Sequence, residues 1–125
     1  MVVKRKSKVG NPPADCPLAF CMAFLGGAWT PHLLWYLKGD PRRFSELKDD
    51  VKGISSKVLA QRLKQLEKDG IVERRIIPSS PPTVEYNLSK FGQRLMPAIL
   101  SIAEVGRELQ AHRQKSGALA ISASA

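Results

Sequence analysis

Phe44–Arg75, FSELKDDVKGISSKVLAQRLKQLEKDGIVERR, decides the fold of this 125-residue chain. The stretch predicts a short helix, a tight turn, a longer helix and the first strand of a hairpin. Ser45 is placed to cap the first helix, with Phe44 just outside it as an apolar staple. Leu47 and Val51, four apart, give that helix one buried face. Gly53 permits a backbone reversal that most residues resist. Ile54 repeats the staple, Ser55 caps the second helix, and Gly70 ends it after Asp69.

The two faces of the second helix separate by residue type. Leu59, Leu63 and Leu66 recur at the helical spacing of an inward stripe. At about 100° per residue, the opposite face carries Lys57, Gln61, Lys64 and Lys68. A helix-turn-helix lays its second helix in the major groove of DNA, with its N-terminal residues against base edges. Those residues are Ser55, Ser56, Lys57 and Gln61. Lysine matches guanine acceptors and glutamine matches adenine. A lysine-rich stripe is also what a plain solvated face looks like. This helix alone leaves both readings open.

Length and charge narrow the choice. The chain is long enough for one domain with a real core, and too short for two. Its net charge is +9 and its pI near 9.9, inside the range of nucleic-acid binders. The charge is also clustered. Residues 42–75 hold ten Lys or Arg against six acids, and residues 1–15 hold four against one. Clusters favour a polyanionic partner, whereas an even spread would argue only solubility. No apolar run approaches the roughly 18–20 residues of a membrane span, and no signal peptide is visible, so a cytoplasmic location is expected. Two cysteines and two histidines, without ligand spacing, argue against a disulfide framework or a metal site. No cofactor is expected.

Taken in order, residues 1–14 contain Gly, Asn, two prolines and four basic residues and read as a flexible basic arm. Order is expected from Asp15. Cys16–Pro17 is a helix start, with proline where its missing N–H costs nothing. Leu18 to Leu25 is then apolar all round. One small domain covers one side of such a helix, which points to a second subunit for the other. Thr30–Pro31 repeats the cap-plus-proline start, and the next helix, to Lys38, buries Leu33, Leu34 and Leu37. Arg42 and Arg43 fit a very short strand. Ile71–Ile77 and Val84–Leu88 alternate as strands around the proline-rich loop at 78–82, forming a hairpin wing with Arg74 and Arg75 at its base. Ser89 caps a last helix from Lys90 to about Arg113, in which Pro97 predicts a kink or break. Its apolar positions are Phe91, Leu95, Ile99, Ile102, Val105 and Leu109. Residues 114–125 read as a frayed tail.

Several segments together, in order over about residues 15–113, resemble the HxlR-type winged helix-turn-helix regulators. They are Cys16–Pro17, GGAWT at 26–30, PRRFSEL at 41–47, GISSKVLAQRL at 53–63, LEKDGIV at 66–72 and PPTVEYNL at 81–88, with Phe91–Gly92 continuing the pattern. Ala28 departs from it, standing where lysine is common. The resemblance implies a mainly α fold with a small β-hairpin wing, related to MarR proteins and dimerising through the first and last helices. It also implies a bacterial or archaeal transcription regulator whose partner is double-stranded DNA with a palindromic operator. The helix from Ser55 becomes the recognition helix and the 74–86 hairpin the wing.

The candidate DNA contacts are therefore Ser55, Ser56, Lys57, Gln61, Arg62 and Lys64 on that helix, Arg42 and Arg43 ahead of it, and Arg74 and Arg75 on the wing. The candidate dimer contacts are Leu18, Phe20, Phe24, Ile99, Ile102, Val105 and Leu109. Some members of the family sense oxidants or electrophiles through the cysteine of the Cys-Pro pair, which maps to Cys16; the inducing signal is otherwise unknown. The alternative class is a winged helix that binds protein instead of DNA. An enzyme is disfavoured, because the chain has no paired-carboxylate, Ser/His/Asp or phosphate-loop pattern.

Overall fold

The computed structural model describes Arg5, residues 7–10 and residues 16–117. Much of the expected arm over residues 1–14, Asp15 and the tail from 118 onward lie outside the described residues. The elements are α1 (Pro17–Leu25), α2 (Thr30–Leu37), β1 (Arg42–Arg43), α3 (Phe44–Asp50), α4 (Ser56–Lys68), β2 (Val72–Ile77), β3 (Thr83–Leu88) and α5 (Lys90–Lys115). The strands form one antiparallel sheet in the order β1-β3-β2.

The core gathers apolar residues of all five helices against this sheet. Leu33, Leu34, Leu47, Leu59, Leu63 and Val72 are fully buried, joined by Leu66, Leu88, Met96 and Ile99. Removing each leucine side chain from water stabilises the fold by about 1.5–3 kcal/mol. The leucine stripe of α4 is thus spent inward, which leaves its polar stripe no choice but solvent.

Two helix starts differ from expectation. α3 begins at Phe44, so Ser45 lies inside it and caps nothing. The carboxylate of Glu46 takes that role instead, accepting from the Arg43 backbone N–H at 2.8 Å. Arg43 is extended (φ −81°, ψ 160°) because it ends β1, so the helix follows the strand directly. Likewise Thr30 does not cap α2. It is the first helical residue and is buried, while Trp29 holds the cap position in a left-handed backbone (φ 71°). The Trp29 indole packs against the core, and a Cβ on Gly53 would stand 3.6 Å from it. Tertiary packing of that ring offsets the cost of positive φ in a bulky residue.

Other turn and helix-start residues take the backbone their chemistry favours. Pro17 opens α1, and Gly53 and Gly70 have φ of 91° and 77°. β1 is a two-residue strand. Of the kink or break expected at Pro97 there is no break, since α5 runs continuously through it. Proline removes one backbone donor, but it sits on the exposed side of the helix, where water can satisfy the freed carbonyl.

The start of α5 is stitched to the end of α4. The Ser89 hydroxyl donates to the Gly70 carbonyl at 2.6 Å, and the Ser89 N–H donates to the Ile71 carbonyl at 2.9 Å. The same hydroxyl oxygen accepts from the Gly92 N–H at 2.9 Å, capping the helix. Gly92 is buried beneath the Ile71 carbonyl, and a side chain there would overlap that oxygen.

Candidate nucleic-acid interface

α4 is presented by a turn and a cap. Gly53 reverses the chain after α3, and Ser55 in extended backbone (φ −81°, ψ 156°) starts the helix. Its hydroxyl oxygen accepts from the Val58 N–H at 3.1 Å. Such a cap is worth about 1 kcal/mol and fixes which residue is first on the helix. That in turn fixes which side chains point outward. Ser55, Ser56, Lys57, Gln61, Lys64 and Lys68 are all exposed, whereas Arg62 lies off the stripe and is half-buried. No acid stands in the first turn. The N-terminal half of the helix therefore offers two hydroxyls, an ammonium and an amide.

The wing adjoins this face. Val72 pairs with Leu88, Arg74 with Tyr86 and Ile76 with Val84, so these residues share one face of the sheet. A surface recess of 320 Å³ between Ala60, Lys64, Glu67, Arg74 and Tyr86 joins that face to α4. Arg74 and Lys64 thus stand on opposite walls of one recess. Arg75 pairs with Glu85, which pairs with Arg43, and these three occupy the other face. Two neighbouring arginines thus serve opposite sides of the wing.

Arg42 is engaged within the chain. Its Nε and Nη2 donate to the two carboxylate oxygens of Asp50 at 3.0 and 3.1 Å, and Nη1 lies 3.7 Å from Glu46. This bidentate pair ties β1 to the end of α3 and neutralises the guanidinium. Sequence reasoning missed Asp50, because nothing local in KDD singles it out; eight residues separate it from Arg42. It also missed the position of Glu85, which only the strand register reveals.

The apolar candidates divide as well. Leu18, Phe20, Ile102, Val105 and Leu109 are exposed, with Met22 and Leu100 beside them. Phe24 is half-buried against the core, and Ile99, expected on a subunit face, belongs to the core itself. Ile99 lies one turn from Met96 and two from Gly92, both buried, so helical periodicity points it inward. Cys16 precedes α1 in left-handed backbone (φ 33°), and it and Cys21 are free and half-buried. Among the described residues no group of three or more His, Cys, Asp or Glu is arranged to hold a metal. No single helix among them is long and apolar enough to cross a membrane.

The HxlR-like helix-turn-helix family matches residues 24–114 of this chain. The chain belongs to that family. Among its relatives, the uncharacterized HTH-type transcriptional regulator YybR of Bacillus subtilis is 36% identical over 104 residues, 83% of each chain. A MarR-family transcriptional regulator from Enterococcus faecalis V583 superposes with a TM-score of 0.74 at 28% identity, over 87% of this chain and 99% of that one. The redox regulator HypR in its reduced form gives a TM-score of 0.72 at 34% identity, over 80% and 98%. The helices and sheet are accordingly a winged helix-turn-helix, with α3 and α4 as its helix pair and β2–β3 as the wing. This HxlR-like chain is a transcriptional regulator of that type.

Proposed function

We propose that the chain acts as a homodimer that reads a palindromic double-stranded operator, α4 of each subunit entering one major groove. The observation that carries this is the outward stripe Lys57, Gln61 and Lys64 on a helix whose opposite stripe is locked in the core. Lys57 and Gln61 take base edges, with Ser55 and Ser56 beside them at the start of the helix. Arg74, across the recess from Lys64, takes phosphate, as do Arg75 and Arg43 on the other face of the wing. Arg42 is left out of the contact set, since Asp50 already holds it. Exposed apolar residues along α1 and α5 supply the dimer face, and recesses of 330 and 190 Å³ flank α1 where it meets α5.

The test separates base from backbone contacts. Gln61→Ala should cost about 1–3 kcal/mol on the operator and relax preference at one position of each half-site. Arg74→Gln should weaken all sequences alike and flatten the salt dependence by about one phosphate per subunit. Equal loss on operator and random DNA for Gln61→Ala, measured by anisotropy titration, would remove α4 as the reader. Half-sites should be spaced by about one helical turn or a multiple of it.

A redox response is the finer part of this reading, favoured by the likeness to HypR and by Cys16 standing at the start of the dimer helix. Cys16 and Cys21 are separated by a helical stretch of roughly 8–9 Å, beyond the roughly 7 Å a disulfide tolerates. Any oxidised link therefore joins two subunits, with diamide taking the two electrons and two protons of a thiol pair. Diamide should change the operator affinity of the wild type and of Cys21→Ser but leave Cys16→Ser unchanged. An unchanged wild type would end the redox reading and leave the DNA reading intact.

A further inference from the structure

The strand register puts a single carboxylate between two arginines on one face of the wing. Arg43 on β1 is opposite Glu85 on β3, and Glu85 is opposite Arg75 on β2. Directly opposed residues share a face, with Cβ atoms about 4.5–5.5 Å apart. The row therefore reads plus, minus, plus across three strands. Arg43 and Arg75 are exposed and Glu85 is half-buried. The ion pairs among the described residues both belong to Arg42, so Glu85 meets its arginines as a nearby field and not as a closed pair. The next row on this face holds Glu73 opposite Asn87, with the Asn87 amide nitrogen 3.5 Å from the Glu73 carboxylate.

We propose that Glu85 limits affinity: it offsets the pull of Arg43 and Arg75 on DNA phosphates and keeps binding to random sequence weak. The inference rests on the DNA-binding reading above. The Arg43, Glu85 and Arg75 side chains leave the sheet on neighbouring strands, about one strand spacing or roughly 5 Å apart. That is inside the Debye length of about 8 Å at physiological salt, so the opposing charge is felt. Binding to random sequence is almost wholly electrostatic. A chain of net charge +9 that must leave wrong sites quickly gains from one well-placed acid. The register supplies the two arginines together with the charge that restrains them.

Glu85→Gln keeps the shape of the strand and removes only the charge. Glu108→Gln makes the same charge change on an exposed part of α5, away from the wing. Both are titrated against a random duplex of about 30 base pairs over a salt series. Glu85→Gln should bind about three- to tenfold more tightly near 0.1 M salt and steepen the log–log salt slope by about 0.5–1 per subunit. Glu108→Gln should stay within about twofold of wild type. In an Arg43→Gln, Arg75→Gln background, Glu85→Gln should add no more than Glu108→Gln does. Equal effects of the two glutamate variants would overturn the proposal, as would a Glu85→Gln gain that survives loss of both arginines. A wild type with no salt-dependent binding would instead remove the DNA reading beneath it, a distinguishable failure.

Discussion

Phe20→Glu combined with Val105→Glu should convert the regulator from dimer to folded monomer and lower operator affinity by about 10²–10⁴-fold, the loss expected when two linked half-site contacts become one. Phe20 is 75% exposed and Val105 59% exposed within the single chain. Neither touches the core in a way that the substitution would break. A monomer accepts the glutamates in water, whereas a subunit interface must desolvate four unpaired carboxylates, a cost of several kcal/mol. Ile99 and Phe24 are unsuitable for this experiment because the core uses them. Sedimentation, with helical content followed by circular dichroism, distinguishes a folded monomer from an unfolded chain. A variant that remains dimeric would place the interface elsewhere. A wild type that is monomeric at micromolar concentration would remove the palindromic-site prediction as well.

The largest expected loss of stability comes from one methyl group. Gly92→Ala should destabilise the fold by about 3 kcal/mol, the upper part of the range for overpacking, because the new Cβ meets a backbone oxygen that cannot rotate away. That oxygen belongs to Ile71, which also accepts from the Ser89 N–H. Relieving the overlap means lifting α5 from the end of α4, which breaks the Ser89 bonds to Gly70 and Ile71. By contrast, a Cβ on Gly106 of the same helix meets nothing. Gly106→Ala should be neutral or stabilising by about 0.5–1 kcal/mol, from helix propensity. Chemical denaturation of the two variants side by side checks the contrast. Equal midpoints would mean that the joint between the end of α4 and the start of α5 is slack.

Much of the site was legible in the chain itself. Ser55, Gly53, Gly70 and the Leu59, Leu63, Leu66 period locate α4 and its outward stripe without reference to anything distant. The period-two alternation of Val84, Tyr86 and Leu88 gives the inward face of β3. These signals are local. A cap bonds three residues away, a helical period spans one or two turns, and a strand alternates with its own neighbours. The family resemblance then orders the pieces into a winged helix.

The fates of individual charges lay beyond that reach. Whether Arg42 is a phosphate ligand or a structural cation depends on Asp50 across the turn of α3. The separation of Arg74 from Arg75 follows from strand parity, but their neighbours, Tyr86 with Lys64 on one face and Glu85 with Arg43 on the other, depend on the three-strand register. Thr30 and Ser45 carried the right chemistry for caps, yet the Trp29 ring and the end of β1 moved both helix starts. Helix, turn and strand could be read from the chain because those choices are settled within a few residues. Which arginine is tied up inside the protein could not, because the carboxylate that holds Arg42 is brought beside it only by folding.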